Sequence, residues 1–221
     1  MKNIVNYQLN EYQEKRHPEF LNSPKLSQAW SVFVFIEYFG EVKGKTILEF
    51  GGAMGYNLIE LAKYNQVISI EPSPIGRETT LQLGIKAYID IESMKIENNC
   101  LYDIILCRHV LEHVENPLSV LKNLKSLLKP DGKIILVLPW EKQLMPVKNE
   151  IDFHLFCWTP RIAINLLNVA GFNNIQWTYN YFTGKRLFYP IYKKFGGKMY
   201  RMCMKFLGKV LNAKEIVIHC S

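Results

Sequence analysis

No apolar run in this sequence is long enough to cross a bilayer, and the N-terminal stretch MKNIVNYQLNEYQEKRHPEF lacks the apolar core of an export signal. Cysteine is scarce: five widely separated residues without a C-x-x-C pair argue against both a disulfide framework and a zinc knuckle. No linker rich in serine, glycine or proline divides the chain. These absences predict a single domain with reduced thiols in the cytoplasm, and peripheral contact with the inner membrane face stays open as an addition.

The 221 residues, 48% of them hydrophobic, can bury a substantial core. From Thr46 onward, short β-rich runs such as QVISIE, LYDIILC and KIILVLP alternate with amphipathic segments, and KPDGK supplies a turn. Such alternation is typical of βαβ units, so we predict an α/β fold with a doubly wound, Rossmann-like sheet. Helices are predicted over KLSQAWSVFVFIEYFG, ending at Gly40, and over TPRIAINLLNVAG, with Thr159 as N-cap and Gly171 after its end.

The stretch TILEFGGAMGYNLIEL runs an apolar strand into a cluster of glycines and then into a predicted helix, GYNLIELAKYN. Gly51, Gly52 and Gly55 let the backbone turn sharply and approach a ligand closely, beside Glu49 at the strand end. About 20 residues further on, the next strand ends in Glu71, at the distance where a carboxylate accepts hydrogen bonds from ribose hydroxyls. The pair of features predicts a nucleoside-type ligand, although the G-x-G-x-x-G spacing of dinucleotide-binding proteins is missing.

Taken together, ILEFGGAMG, ISIEPS, AYIDIE, YDIILCRHVLEHVENP and LLKPDGKIILVLP resemble the ordered motifs of class I S-adenosylmethionine-dependent methyltransferases of the small-molecule group, types 11 and 23. The resemblance covers about Thr46 to Pro139 and extends more loosely to Phe172. It implies a seven-stranded, mostly parallel sheet whose last strand is antiparallel. It also implies S-adenosylmethionine as cofactor and S-adenosylhomocysteine as product.

The same resemblance assigns the cofactor-binding residues. The glycine turn and its acidic strand end would hold the amino-acid and ribose parts, and the acidic residue after the third strand would meet the adenine amino group. The residues in these positions are Glu49, Gly51, Gly52, Gly55, Glu71 and Asp90. Ala53 stands where the family usually has another glycine, so we expect a slightly displaced turn that still binds the cofactor.

A histidine cluster supplies the candidates for catalysis. CRHVLEHVENP places His109, Glu112 and His113 after the fourth strand, and a proton must leave any hydroxyl acceptor, a task that suits imidazole. We predict His113, His109 and His154 as catalytic; a purely structural cluster that caps the following segment is the alternative. With Glu112, they also resemble the E-x-x-E-H…H set by which some relatives hold a divalent cation. His109 replaces one carboxylate, which disfavours a hard cation, so we predict no metal and keep it as an alternative.

A basic segment holds much of the net charge of +7. GKRLFYPIYKKFGGKMYRMCMKFLGKVLNAK contains no acidic residue, and from Lys198 its cations recur at helical spacing. The apolar residues Met199, Met202, Phe206 and Val210 lie on neighbouring faces of the same predicted helix. Within Lys185–Lys214, this amphipathic helix would cover an acceptor, lie on an anionic membrane or grip an acidic substrate; the alternative buries its apolar side in the protein's own core.

We divide the chain into a helical cap at 1–44, a cofactor-binding core at 45–180, a basic amphipathic insertion at 181–213 and a final strand at 214–220. No N/D-P-P-Y/F signature of base-amino methyltransferases follows the fourth strand. We therefore predict O-methylation of a small-molecule or glycan-like acceptor, such as a surface polysaccharide or its lipid-linked precursor. The alternatives are a quinone-like lipid phenol at the membrane surface, RNA 2′-O-methylation, for which no RNA-binding module is visible, and a non-catalytic methyltransferase-like binding protein.

Overall fold

A seven-stranded sheet forms the centre of the computed structural model, which describes residues 23–98, 100–141 and 154–221. The strands are β1 (Thr46–Phe50), β2 (Gln66–Ile70), β3 (Lys86–Tyr88), β4 (Tyr102–Arg108), β5 (Leu128–Pro139), β6 (Gln176–Tyr181) and β7 (Lys214–Cys220). Their order is β3-β2-β1-β4-β5-β7-β6. Pairing is parallel from β3 to β5, and β7 runs antiparallel to both of its neighbours. The predicted doubly wound sheet with an antiparallel last strand is confirmed.

Helices cover both faces of this sheet. They are α1 (Pro24–Phe39), α2 (Pro74–Gln82), α3 (Ile91–Glu97), α4 (Pro117–Ser126), α5 (Pro160–Ala170) and α6 (Tyr189–Val210). Apolar side chains of α3, α4 and α5 pack on one face, and those of α1 and α6 pack on the other. Consecutive strand residues point to opposite faces, and helices cover both faces. The central strands are therefore buried on both sides and apolar almost throughout.

The predicted helix ends agree with the structure. Thr159 caps α5 by accepting a hydrogen bond from the Ile162 N–H, and Gly171 follows the helix with φ +91°. Gly40, with φ +62°, ends α1 in the same way. A residue with positive φ after a helix is most easily a glycine, because it has no side chain to collide with the preceding turn.

The predicted helix over GYNLIELAKYN is wrong. After the glycine cluster the chain forms successive turns and a single 3₁₀ helix, Leu61–Lys63. The reason is competition from α1: the Ser31 hydroxyl accepts the Glu60 N–H at 2.6 Å, and Gln28 donates to the Glu60 carboxylate at 2.7 Å. These contacts replace helical i→i−4 bonds, so no regular helix presents its N-terminus to the glycine turn.

The predicted turn at KPDGK lies inside a strand. Tyr102 pairs with Leu128 and Ile104 with Lys133, so residues 129–132 bulge out of β5 where it meets β4. A β-carbon on Gly132 would lie 2.7 Å from the Tyr102 carbonyl oxygen, which explains the glycine. All five cysteines are free thiols. Within the described residues, no helix has both the length and the apolar character to cross a membrane.

Candidate functional site at the carboxyl edge of the sheet

The glycine turn leaves β1 and packs against the segment that follows β4. The N–H groups of Gly51 and Gly52 both donate to the Ile70 carbonyl, at 2.8 and 3.1 Å. A β-carbon on Gly51, where φ is +78°, would lie 2.2 Å from the Val110 Cγ2 atom. Gly51 is therefore required both by its backbone conformation and by the side chain of Val110.

Gly51→Ala is expected to destabilise the fold by about 1–3 kcal/mol, because a methyl group both opposes the positive φ and overlaps Val110. Urea denaturation of the two proteins measures the difference. Adding Val110→Ala removes the overlap but not the backbone strain, so the double variant should recover part of the loss. Full stability of Gly51→Ala would show that the turn is not packed as described.

Glu71 joins the turn to the beginning of α2. Its carboxylate accepts the Ala53 N–H at 2.7 Å and the Ser73 N–H at 2.9 Å. Burial raises the pKa of Glu71 to about 7, against the lowering effect of these two bonds. Ala53 itself has φ +48°, which costs roughly 1–2 kcal/mol in a residue with a side chain. Each carboxylate oxygen has a second lone pair, so Glu71 can still accept hydrogen bonds from a ligand.

Glu49 lies fully buried at the end of β1, beside the same turn. Its Oε1 accepts a hydrogen bond from the Asn57 amide, whose own oxygen accepts the Trp30 N–H at 2.8 Å. Its Oε2 has no hydrogen-bond partner among the described residues. Burial raises the pKa of Glu49 to about 8. An unsatisfied, buried carboxyl oxygen of this kind is suited to a cationic or hydrogen-bond-donating group of a ligand.

Asp90 follows β3, at the same carboxyl edge of the sheet as Glu49 and Glu71. It is the N-cap of α3: its Oδ1 accepts the Ser93 N–H at 2.7 Å, and the Ser93 hydroxyl lies 3.3 Å from the Asp90 N–H. The bond from the Ser93 N–H lowers the pKa of Asp90, although partial burial opposes it. Asp90 is therefore an ionised acceptor at the position predicted to meet an adenine amino group, and it also holds the start of a helix.

His109 is partly exposed and borders a buried polar network centred on Glu215. Its Nε2 lies 3.0 Å from the Glu215 carboxylate, which also accepts hydrogen bonds from Arg108, Tyr38 and Asn180. Burial and the neighbouring Arg108 lower the pKa of His109. Glu215 is 2% exposed, and the cation of Arg108 keeps its pKa low, at about 2, despite burial. The surroundings of His109 thus favour a structural role in this network.

His113 and His154 do come together, although 41 positions separate them in the chain. Their ring centroids are 4.9 Å apart with the rings nearly perpendicular. The Leu155 N–H donates to the Glu112 carbonyl at 2.7 Å, which ties the two segments to each other. Val110, three residues before His113, lies against Gly51 of the glycine turn, and both follow the carboxyl ends of their strands, so the histidine pair is at the carboxyl edge of the sheet.

Glu141 is the partner that sequence analysis missed. Its carboxylate is hydrogen-bonded to His154 Nδ1 and accepts a bond from the Cys157 thiol at 2.7 Å. These bonds lower the pKa of Glu141 and outweigh its partial burial. In the neutral imidazole, an Nδ1–H directed at this carboxylate leaves the lone pair on Nε2. Glu141 lies two residues after the end of β5, and that position at the carboxyl edge is the one signal that could have identified it.

The alternative metal site has four candidate ligands, and three of them are close enough to bind one ion. Donor atoms of Glu112, His113 and His154 all lie within 4.8 Å of one another. His109 is nearer to Glu215, at 3.0 Å, than to Glu112, at 3.6 Å. One carboxylate and two imidazoles suit zinc or another transition metal better than magnesium.

Comparison with known proteins finds a matching family and solved structures with the same fold. A family model described as a methyltransferase domain matches residues 12–181. A ubiquinone biosynthesis O-methyltransferase of Vibrio vulnificus (strain YJ016) is 35% identical over 99 residues, which cover 41% of this chain and 42% of that protein. The chain thus matches less than half the length of this curated relative.

Two solved structures share the fold. An S-adenosylmethionine-dependent methyltransferase of Thermotoga maritima superposes with a TM-score of 0.63 at 15% identity, covering 96% of this chain and 98% of that one. A phosphoethanolamine N-methyltransferase of Haemonchus contortus, in complex with S-adenosylhomocysteine, superposes with a TM-score of 0.60 at 10% identity, covering 96% of this chain and 59% of that one. Identities this low speak for the fold alone.

Proposed function

The chain belongs to the methyltransferase-domain family and uses S-adenosylmethionine, and on that premise we propose that it methylates a hydroxyl oxygen of a small-molecule or glycan-like acceptor. The observation that carries this proposal is the pairing of His154 with Glu141 beside His113. A hydroxyl must lose its proton as the methyl group arrives, and an imidazole held by a carboxylate is suited to accept it.

The residues of the glycine turn fit S-adenosylmethionine. The cofactor carries positive charge on its sulfonium and ammonium groups, and Glu49 offers a buried carboxyl oxygen that lacks a partner among the described residues. Glu71 and Asp90 follow the next two strands, β2 and β3, in line with the ribose and adenine roles proposed for them. When bound, S-adenosylmethionine supplies an electrophilic methyl group.

The chain's own residues orient the acceptor and remove its proton. Glu141 keeps His154 in the tautomer whose Nε2 accepts a proton and stabilises the imidazolium that results. His113 lies against the His154 ring and limits its rotation, so in this proposal His113 positions the base or the acceptor. His109, whose Nε2 faces Glu215, has a structural role next to the site in this proposal and does not contact the acceptor.

Affinity for S-adenosylmethionine is expected to rise on the order of 100-fold from pH 6 to pH 7.5, because binding ionises two carboxyls that carry protons at pH 6. In the free protein the pKa values of Glu71 and Glu49 are raised to about 7 and 8, so both carboxyls are mostly protonated at pH 6. A cationic ligand favours their ionised forms, so binding releases protons and becomes tighter as the pH rises towards these values. Calorimetry across this pH range measures the slope.

Glu71→Ala provides the matching variant. We expect it to weaken cofactor binding by about 1–3 kcal/mol, the cost of losing a charged acceptor, and to flatten the pH dependence. Asp131→Ala, an exposed acidic residue in the β5 bulge, is the control and should change neither quantity. Unchanged affinity in a folded Glu71→Ala protein would remove this residue from the site.

A panel of acceptors tests the proposed reaction. Methyl-labelled S-adenosylmethionine is incubated with a catechol, a hexose glycoside, an RNA oligonucleotide and a primary amine, and mass spectrometry locates the label. The proposal expects label on oxygen of the catechol or the glycoside, in an amount that falls with His154→Ala. Transfer to the amine or the RNA alone would contradict it.

A quinone-like lipid phenol is the second candidate acceptor. The observation that favours it is the 35% identity to the ubiquinone biosynthesis O-methyltransferase of Vibrio vulnificus over 99 residues. The catechol in the panel represents this class, because it carries adjacent phenolic hydroxyls. Label on the catechol and none on the glycoside would select it over a glycan.

A further inference from the structure

The second part of α6 has one face buried and the opposite face apolar. Gly196, with φ +78° and ψ −176°, interrupts the helix, so Gly197–Val210 forms a separate rod about 21 Å long. Tyr200, Met204 and Gly208 are buried on its inner side, and Gly197 lies against Val32 of α1. This inner side attaches the rod to the rest of the protein.

The outer side of the rod carries four large apolar residues in a row, here called the apolar stripe. Spaced at intervals of three, four and four, they fall on one helical face, opposite the buried one. The exposed fractions are 38% for Met199, 56% for Met202, 69% for Phe206 and 64% for Val210. The alternative in which this apolar side is buried in the protein's own core is therefore wrong.

The cations of this segment divide into two groups. Arg201 and Lys205 point back to α1, where both bind the Glu37 carboxylate. Lys198 and Lys209 are exposed and lie along one border of the apolar stripe, although Lys198 is also 3.8 Å from the exposed carboxylate of Glu41. Lys193 and Lys194 are exposed on the last helical turn before Gly196. No acidic residue occurs from 182 to 214, so the outer surface of the rod is positive as well as apolar.

We propose that the apolar stripe docks on an anionic lipid bilayer, with Met202 and Phe206 inserted among the acyl chains and Lys198 and Lys209 at the headgroups. Apolar side chains along the middle of an exposed helix face, bordered by lysines, match the interface of a membrane, where the lysines meet anionic lipid headgroups. A nucleic acid would instead require cations along the middle of that face, since its phosphates bind positive charge. The proposal concerns where the protein binds and does not depend on which acceptor it methylates.

Vesicle co-sedimentation tests this docking with the full chain. Vesicles of phosphatidylcholine alone are compared with vesicles that also contain phosphatidylglycerol. We expect binding to the mixed vesicles that weakens with added salt, and about a 10-fold loss of partitioning for Met202→Ser/Phe206→Ser and for Lys198→Glu/Lys209→Glu. The matched control is Leu81→Ser/Ile96→Ser, which removes two apolar side chains of similar exposure from α2 and α3.

The control pair should bind vesicles as the natural protein does, and all variants should bind S-adenosylmethionine equally, which separates this test from that of the methyl acceptor. The proposal is overturned if the natural protein does not bind anionic vesicles, or if the control pair loses as much as the stripe variants. Dimerisation that Phe206→Ser abolishes, without vesicle binding, would assign the stripe to a second copy of the chain. Salt-sensitive binding to RNA without vesicle binding would likewise overturn it.

Discussion

His154→Ala should lower turnover by roughly 10²–10⁴-fold and leave S-adenosylmethionine affinity nearly unchanged, because help from a general base is felt only in the transition state. The Nδ1 atom of His154 is hydrogen-bonded to Glu141, and this leaves Nε2 to take the acceptor's proton. Initial rates with the best acceptor of the panel and calorimetry with the cofactor measure the two quantities separately.

Glu141→Gln distinguishes the base from its support. Glutamine retains an oxygen for the His154 N–H but not the charge that stabilises the imidazolium, so we expect turnover to fall by about 10-fold or more while S-adenosylmethionine affinity stays unchanged. The matched control is Glu115→Gln, an exposed carboxylate two residues after His113. A rate for His154→Ala within about threefold of the natural protein would end the assignment.

A metal ion at Glu112, His113 and His154 predicts another pattern. A chelator would then reproduce the loss seen in His154→Ala, an added divalent cation would restore it, and Glu112→Ala would be as damaging. The proposed base needs no such rescue. Insensitivity of the rate to both the chelator and the replacement of His113 and His154 would instead make the pair structural, with catalysis resting on alignment of the acceptor.

Glu215→Ala is expected to destabilise the protein by about 3–5 kcal/mol, the cost of leaving a buried charge without its counterion. Glu215 is almost fully buried and holds Arg108 at 3.1 Å, and it also accepts bonds from Tyr38 and Asn180. Urea denaturation measures the loss. Glu37→Ala is the comparison, since Glu37 pairs with cations that are partly exposed, and its removal should cost clearly less.

The same network determines a pH dependence. The folded-state pKa of Glu215 is lowered to about 2, below its unfolded value, so the stabilisation from its charge is present above the unfolded pKa of about 4.3. It is lost as the pH falls from there through about 2. The acid unfolding of Glu215→Ala should therefore be less steep in this window, and an equal slope in both proteins would contradict the assignment.

Local patterns predicted most of the architecture, and distant contacts explain what they missed. The strands and the caps of α5 follow from residues adjacent in the chain. The helix expected over GYNLIELAKYN fails because Gln28 and Ser31 of α1 bind Glu60, a contact that no local pattern contains. In the site, carboxylates after the strands were recognisable because their position in a parallel sheet is itself the signal.

The histidine cluster shows the same limit. HVLEH suggested one group, and in the structure His109 lies between two carboxylates: its Nδ1 is 3.6 Å from Glu112, and its Nε2 is 3.0 Å from Glu215, which lies 106 positions away. The partner of His154 is Glu141, and no sequence pattern near either residue indicates this pairing. Electrostatic partners of this kind depend on which strands are neighbours, so they follow from the sheet order and not from spacing in the chain.

The position of β7 between β5 and β6 has a consequence for how the protein is made. The strand that joins these two is synthesised after both of them, so β6 is made before its pairing partner exists. At 5–20 residues per second, the interval between them lasts roughly two to six seconds. During that time the β5 edge of the nascent sheet and both edges of β6 stay open to pairing with other chains, so the interval before β7 is made is the one in which misassembly is most easily started.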